Sequence, residues 1–431
     1  MGSYLAYAEY KDSGIEWLGK IPTHWEAKRL KFTSTVQPSN VDKKTDEDEE
    51  SVLLCNYSDV YNNAEITSKL EFMRATATQS EIEKFLIAKD QVIVTKDSET
   101  REDIAVPAYV AEDFENVLCG YHLTQIKPKE VFGKYLFRLF QSRQFNAQFI
   151  LGANGVTRFG LPQYVISNAL IAVPPIEEQR SIARFLDYKT AQIDALITKK
   201  ETLLKKLAEK RTALISQAVT KGCDRTVTLK DSGIEWLGKI PSHWSLLPLK
   251  YAVTFQRGHD LPAESRIEGD VPLVSSSGVS GCHNVAVATA PGIVTGRYGT
   301  IGKFTYIEED YWPLNTTLYS IRTYANDVQF LWYMMHNLSG LFLLNSQKSA
   351  VPGVDRNDLH PVLTAIPSIQ EQGQIVKFLD KWTVEIDKQI TQIEEAIANL
   401  KEYRTALITN AVTGKIDVRD VMLEPEPVEA A

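Results

Sequence analysis

Apolar positions recur along two long stretches of this chain with the spacing of a helix. From Ile176 to Val219 and from Ile369 to Val412 there is no Pro and, Gly373 apart, no Gly, while Leu, Ile, Ala, Lys, Glu and Gln abound. That composition predicts uninterrupted helix. In the second stretch Leu379, Ile386, Ile393, Leu400 and Leu407 fall every seventh residue, with Ile375, Trp382, Ala396 and Tyr403 on the neighbouring seam. The first gives Leu186, Ile193, Leu207 and Leu214, beside Ile182, Leu196 and Leu203. This is a coiled-coil pattern, in which Lys200 and Gln389 form a polar layer able to fix register. A helix rises about 1.5 Å per residue, so each rod reaches roughly 66 Å, too long for an ordinary core helix. The two stripes can bury each other. The expected arrangement is an antiparallel intramolecular coiled coil, which sets the segments that precede the helices at opposite ends, under a pseudo-two-fold axis.

Shorter apolar runs elsewhere predict strands. Val92–Thr95, then I-A-V-P-A-Y-V and C-G-Y-H-L-T-Q-I, are separated by polar loops, and so are Ile293–Thr295, F-T-Y-I and L-N-T-T-L-Y-S-I. Both sets read as strand, turn, strand, loop, strand. Each is followed by a helical stretch, Lys134 to Phe149 and Gln329 to Leu344, with apolar faces at Tyr135, Leu136, Leu139 and Phe140 and at Phe330, Leu331 and Met334.

The chain is a tandem repeat. K-D-S-G-I-E-W-L-G-K-I-P-T-H-W at 11–25 returns as K-D-S-G-I-E-W-L-G-K-I-P-S-H-W at 230–244, an offset of 219. I-E-E-Q at 176–179, F-L-D at 185–187 and R-T-A-L-I at 211–215 return as I-Q-E-Q, F-L-D and R-T-A-L-I, offset by 193. One module was duplicated, and the difference of 219 − 193 = 26 residues makes the first copy longer. The acidic loop near residue 45 is the expected place for most of them. The predicted fold is mixed α/β (α+β): a globular domain over 1–175, a first long spacer helix over 176–221, a second globular domain over 222–368, a second spacer helix over 369–416, and an acidic tail over 417–431.

Composition narrows the function. With 431 residues and 44% hydrophobic content the chain can build full cores. No apolar run approaches the roughly 20 residues of a membrane span, and the first residues lack a basic-then-apolar leader, so a cytoplasmic protein is expected. Cys55, Cys119, Cys223 and Cys282 include no C-x-x-C pair and the histidines no H-x-x-x-H, so neither a disulfide framework nor a metal site is expected. Net charge is −8. Residues 42–50 contribute −4 and residues 417–431 another −4, which leaves the rest neutral and free to carry local basic surfaces.

The duplicated S-G-I-E-W-L-G-K-I-P-x-H-W segment, the P-P-I-E-E-Q…F-L-D and P-S-I-Q-E-Q…F-L-D segments leading into R-T-A-L-I, and T-G-R-Y-G-T-I-G-K before W-P-L-N-T-T-L-Y carry a family resemblance. The chain resembles the specificity subunit (HsdS) of Type I restriction-modification systems over nearly its whole length. That resemblance implies two target recognition domains, each reading one half of a bipartite, asymmetric DNA site, with the helices setting the gap and docking partners. It implies two methyltransferase (HsdM) subunits using S-adenosylmethionine to methylate adenine, and restriction (HsdR) subunits using ATP and Mg. It places no cofactor and no catalytic residue in this chain. The acidic loop at 42–50 departs from the pattern. Regular charge on the helix faces, such as Lys199, Lys200, Lys205, Lys206, Glu394 and Glu395, suits either partner docking or plain solvation.

Reading bases needs donors and acceptors on loops held by a rigid frame. The DNA-binding candidates are Lys96, Ser98, Thr100, Arg101, Tyr121, His122 and Arg158 in the first domain. In the second they are Arg257, His259, Ser275, Ser276, Ser277, His283, Arg297, Tyr298, Thr300, Lys303 and Lys348. Gly296, Gly299 and Gly302 with Lys303 miss the G-x-x-x-x-G-K-[ST] spacing, and Phe304 stands where a metal-binding hydroxyl belongs, so a tight turn is expected and not a nucleotide loop. Trp17, Trp25, Trp236 and Trp244 are expected to anchor packing. Two other functions compete. A nuclease would use Glu26 and Lys28 with Asp12, although Ser245 and Leu247 replace the first two in the second copy; a coiled-coil adaptor would need no DNA at all.

Overall fold

The computed structural model describes residues 4–346 and 353–422. They fall into two compact units, one running to Lys199 and taking up the chain again from Ala396, the other Lys200–Glu395.

In the first unit a five-stranded sheet runs Ser34–Pro38, Leu123–Pro128, Val92–Thr95, Pro107–Val110, Glu65–Ile66. Val92–Thr95 is buried on both faces, which is why it reads as an unbroken V-I-V-T run and not as an alternation. Register follows: Ile126 faces Val36 on one side and Val92 on the other. A three-stranded sheet (Val117–Cys119, Glu50–Cys55, Met73–Ala77) closes the core over Leu54, Phe85, Ile93, Leu118 and Leu123. Burial pushes the Cys119 thiol up to about 12, so this cysteine is an inert core residue.

The second unit repeats the frame with fewer residues. Its four-stranded sheet runs Thr254–Arg257, Thr317–Arg322, Gly292–Gly296, Phe304–Ile307. A three-stranded sheet of Gly278–His283, Val271–Ser275 and Trp312–Pro313 accompanies it. Most of the first unit's additional length lies in 39–91, the segment that corresponds to 258–291 of the second. The acidic loop is only part of it; the short helices Tyr57–Tyr61 and Gln79–Phe85 and the strand Met73–Ala77 supply the rest. Each expected post-sheet helix is two helices: Gly133–Phe140 with Arg143–Gly152, and Val328–Asn337 with Ser339–Ser346.

The conserved wording of the repeat explains itself as joinery. Glu26–Arg29 pairs with Leu170–Val173, and Ser245–Pro248 with Leu363–Ile366, so each unit is closed by a strand from its beginning against the strand that feeds its long helix. Glu178, in the first turn of that helix, accepts from Trp25 Nε1 at 2.9 Å and Tyr7 OH at 2.6 Å, with His24 Nε2 at 2.8 Å. Glu371 does the same for Trp244 Nε1 at 3.0 Å and His243 Nε2 at 2.9 Å. The next residue is also conserved in role: Gln179 accepts from Phe132 N–H and donates to Pro174 O, while Gln372 accepts from Asp327 N–H and donates to Pro367 O.

The long helices span Ile176–Lys221 and Ile369–Val412. Gly222 and Gly414, at φ +74° and +70°, follow their last turns in the left-handed conformation that ends a helix. In the first unit Arg404 reaches Asp194 at 2.9 Å; in the second Arg211 reaches Asp387 at 3.1 Å. Asp194 and Asp387 are equivalent residues of the repeat, and so are Arg211 and Arg404. In each unit the helices therefore run antiparallel and exchange the same pair in mirrored roles.

The seam differs from the expected one on one side. Ile182, Leu186, Ile193, Leu207, Ile375, Leu379, Ile386 and Leu407 are buried, and Leu214, Ile393 and Leu400 are half-buried. Leu196 and Leu203 are 48% and 44% exposed, so they are not core residues. The second row of the seam lies one position on, at Thr190, Ile197, Leu204 and Arg211, and in the other helix at Thr383, Ile390, Ile397 and Arg404. Apolarity alone selects Leu196 and Leu203; the packed row contains Thr and Arg because Thr190 is bonded by Arg138 and Arg211 by Asp387. Trp382, at 39% exposure, also lies off the seam. Trp25 and Trp244 are buried anchors, whereas Trp236 is 37% exposed. Among the described residues no helix is long and apolar enough to cross a membrane.

Removing the Glu178 carboxylate strips the partner from two buried donors, each worth about 1–3 kcal/mol when left unsatisfied. Glu178→Ala should destabilise the first unit by roughly 2–4 kcal/mol, and Glu371→Ala, which has no tyrosine partner and is more exposed, should cost the second unit roughly half as much. Amide hydrogen exchange over Lys20–Arg29 and Lys239–Pro248 checks this; equal effects in the two units would contradict it.

Candidate nucleic-acid interface

In the first unit the chain leaves the buried central strand at Lys96. Its ammonium donates to Ser39 O at 3.0 Å and lies 4.5 Å from the Tyr121 ring centre, and burial lowers its pKa despite Asp97 nearby. Asp97 holds His122 Nδ1 at 2.7 Å. The next residues pair with a second loop: Ser98 faces Phe159, and Leu161 N–H donates to Lys96 O at 2.7 Å. Arg101 stacks 5.0 Å from the Phe159 ring. Together these segments line a cleft of about 320 Å³ that includes Tyr57, Tyr61, Asp97, Thr100, Asp103 and Arg158. Tyr57 and Tyr61 lie parallel at 5.5 Å, and Tyr61 OH donates to Asp103. Aromatic faces, carboxylate acceptors and one guanidinium share this opening.

In the second unit the chain leaves the equivalent strand at Arg297, whose N–H donates to Thr316 O at 2.8 Å and whose carbonyl accepts from Val354 N–H at 2.9 Å. The Arg297 guanidinium lies 4.8 Å from the Tyr298 ring. The cleft here, about 570 Å³, is lined by Arg257, His259, Asp260, Arg297, Asp355 and Arg356. His259 Nε2 is 3.0 Å from Tyr319 OH, and Arg257 is 3.4 Å from Asp260. The glycine-rich run is a tight turn, as expected: Gly299 and Gly302 have φ of +73° and +77°, and a Cβ on Gly296 would stand 2.4 Å from Thr300 O.

The sequence-predicted residues thus divide. Lys96, Thr100, Arg101 and Arg158 gather on the two facing loops of the first unit, with Tyr121 and His122 on a third loop touching Lys96 and Asp97, and Arg257, His259, Arg297 and Tyr298 lie around the cleft of the second. Ser276 and Ser277 occupy the turn of the Val271–Ser275 and Gly278–His283 hairpin, where Ser275 Oγ meets Ser277 Oγ at 2.9 Å. Thr300 is half-buried in the glycine turn, and Lys303 is exposed. Two candidates are corrected. His283 is 4% exposed and bonds the backbone of Ile267 at 3.1 Å, so it braces a loop and is closed to a duplex. Ser98 is 6% exposed and accepts from Thr100 N–H. Lys348 lies outside the described residues. Sequence reasoning passed over Tyr57, Tyr61, Asp97, Asp103, Asp260 and Arg356. The i, i+4 spacing of the tyrosines and the D-R-N-D capping pattern were the available signals.

The nuclease reading finds no active arrangement. Asp12 accepts from Gly14 N–H, as Asp231 does from Gly233, so it shapes a turn. Glu26 and Lys28 form an exposed ion pair at 2.8 Å on a frame strand, which holds the Glu26 carboxyl below its usual range. Among the described residues no group of three His, Cys, Asp or Glu side chains is arranged to hold a metal ion.

Gly155 lies at φ +138°, where a Cβ would stand 2.0 Å from Arg158 O. Gly155→Ala should loosen the loop that presents Arg158 without unfolding the unit. Trypsin cleavage after Arg158 should become several-fold faster while the circular dichroism spectrum stays unchanged; unaltered cleavage would show that the loop is held by other contacts.

Comparison with known proteins bears on these clefts. The profile of the family described as "Type I restriction modification DNA specificity domain" matches residues 24–206 and 265–396. A protein of Methanocaldococcus jannaschii assigned as the MjaX specificity subunit of a type I restriction enzyme is 22% identical over 93% of this chain and 96% of its own. A solved structure bearing on complex assembly of the type I R-M system shares the fold at a TM-score of 0.69 and 18% identity, covering 92% of this chain and 99% of that one. The crystal structure of the HsdS subunit from Thermoanaerobacter tengcongensis gives 0.56 at 16% identity, covering 92% and 98%.

Proposed function

Because the chain belongs to the family of Type I restriction modification DNA specificity domains, we propose that it is the DNA-specificity subunit of a Type I restriction-modification complex. Each unit reads one half of a bipartite, asymmetric site, and the paired helices set the gap. The observation that carries this is the duplicated frame with divergent clefts. The lead-in hairpins and the Trp–Glu and Gln joints repeat, while the clefts beside the central strands are lined mainly by acids and tyrosines in one unit and by three arginines with two acids in the other. Two readers of different half-sites need a shared scaffold and different contact surfaces.

The chain itself acts without catalysis. Two methyltransferase subunits bring S-adenosylmethionine and methylate adenine; restriction subunits bring ATP and Mg; the complex works in the cytoplasm. Target adenines leave the duplex stack to reach a partner's pocket. The formal charge of −8 is compatible with DNA because attraction to phosphates depends on where cations stand, and the clefts hold Arg158 in one unit and Arg257, Arg297 and Arg356 in the other.

Replacing residues 32–175 with the corresponding part of another specificity subunit, and mapping methylated adenines in cells that also carry the methyltransferase subunit, should change one half of the recognised sequence and leave the other intact. Retention of both halves would overturn the assignment. The pure chain should neither methylate nor cleave DNA; metal-dependent cleavage abolished by Glu26→Gln or Lys28→Ala would support the nuclease reading instead.

A further inference from the structure

The two clefts occupy one place in the duplicated frame and carry opposite chemistry. In both units the first residue beyond the central strand, Lys96 or Arg297, has its carbonyl tied to the loop that follows the paired helices, by Leu161 N–H or Val354 N–H. Around that point the first unit places Asp97, Glu99 and Asp103 with Arg158. The second places Arg257, Arg297 and Arg356 with Asp260 and Asp355. Those two acids are occupied: Asp355 caps the short helix Arg356–Leu359 by accepting from Asn357 N–H at 2.9 Å, and Asp260 accepts from Asn315 and lies beside Arg257. Among the described residues neither Arg297 nor Arg356 enters an ion pair. The frame does not require an arginine at either place, because the first copy folds with Lys96 and Gln163 at the matching positions.

Arg297 is held in place. Its backbone is fixed on both sides by Thr316 O and Val354 N–H, and its guanidinium lies 4.8 Å from the Tyr298 ring. Tyr298 is in turn packed against Gly353, where a Cβ would stand 2.6 Å from the ring. A planar, oriented and unpaired guanidinium at the mouth of a polar cleft matches the two acceptors that guanine alone presents in the major groove, O6 and N7. A phosphate contact would need no such fixing. We propose that Arg297 reads a guanine in the second unit's half of the target, an inference that rests on the DNA-specificity reading above.

The test uses the complex of the whole chain with its methyltransferase subunits, on duplexes carrying the motif found by methylation mapping. Each guanine of the second half-site is replaced in turn by 7-deazaguanine, which keeps its base pairing and lacks the N7 acceptor. One replacement should weaken binding of the native complex by about ten-fold or more. The Arg297→Ala complex should bind more weakly and be indifferent to that replacement, and Arg297→Lys should recover affinity without recovering the discrimination. In cells Arg297→Ala should relax the motif at one G·C pair of the second half and leave the first half unchanged. Uniformly weaker binding with an unaltered motif, persistence of the 7-deazaguanine effect in Arg297→Ala, or its disappearance only in Arg356→Ala would overturn the assignment. If the native complex recognises no bipartite motif at all, it is the DNA-specificity reading that fails.

Discussion

Each unit hangs on one carboxylate, buried in the first and half-buried in the second. Glu178 and Glu371 stand in the first turn of the long helices, where unpaired N–H groups favour a negative charge, and each takes the indole N–H of the tryptophan that ends a lead-in hairpin. Burying a carboxylate is costly unless donors surround it. Here Trp25, Tyr7 and His24 surround the first, and Trp244 and His243 the second. The glutamine that follows ties the same turn to the start of the post-sheet helix. Sheet, helix pair and lead-in strand are thereby fixed at one joint per unit, which is why S-G-I-E-W-L-G-K-I-P-x-H-W and I-x-E-Q survive duplication while the loops do not. None of these residues faces the clefts; their role is to keep the frame constant while recognition changes.

The helix pair shows the same division between what is fixed and what is free. The exchanged pairs Asp194–Arg404 and Asp387–Arg211 are partly exposed, and such pairs contribute about 0–1 kcal/mol each. Stability comes from the buried row around Ile193, Ile197, Ile386 and Ile397. The ion pairs instead favour one axial alignment, because sliding either helix by a turn would separate both at once. For the spacer role proposed for the helices, that alignment matters more than strength.

The repeat, the long helices and the strand rhythm were legible in the sequence because they rest on periodicity and on long matched words. The seam was half legible. Leu196 and Leu203 have the right side chain in the wrong row, and Thr190 and Arg211 have an unpromising side chain in the packed row; only tertiary partners decide between them. The clefts were legible where an arginine or lysine follows a central strand, as at Lys96 and Arg297. They were illegible where the contributor comes from a short helix distant in sequence, as with Tyr57, Tyr61 and Arg356, or where a polar residue is consumed inside the fold, as with Ser98 and His283. Polar loop residues satisfy backbone groups as readily as they meet ligands, and sequence does not distinguish the two.

One joint is made differently in the two units. In the second, the first long helix ends at Lys221, turns at Gly222 and continues covalently into the hairpin strand Leu229–Asp231. In the first, the equivalent helix end, at Val412 and Gly414, meets the hairpin strand Tyr10–Asp12 across space: Tyr10 OH donates to Gly414 O at 3.0 Å, and Asp417 N–H to Leu5 O at 2.7 Å. A connection that is not covalent must be held by contacts, and contacts are added where they are needed. Tyr7 gives Glu178 a donor that Glu371 lacks, burial and that hydrogen bond push its phenol well up, and Arg419, bonded to Asp417 at 2.6 Å, covers its ring at 5.1 Å. The first unit therefore builds from side chains the closure that the second receives from the backbone, and its richer carboxylate cluster is the consequence.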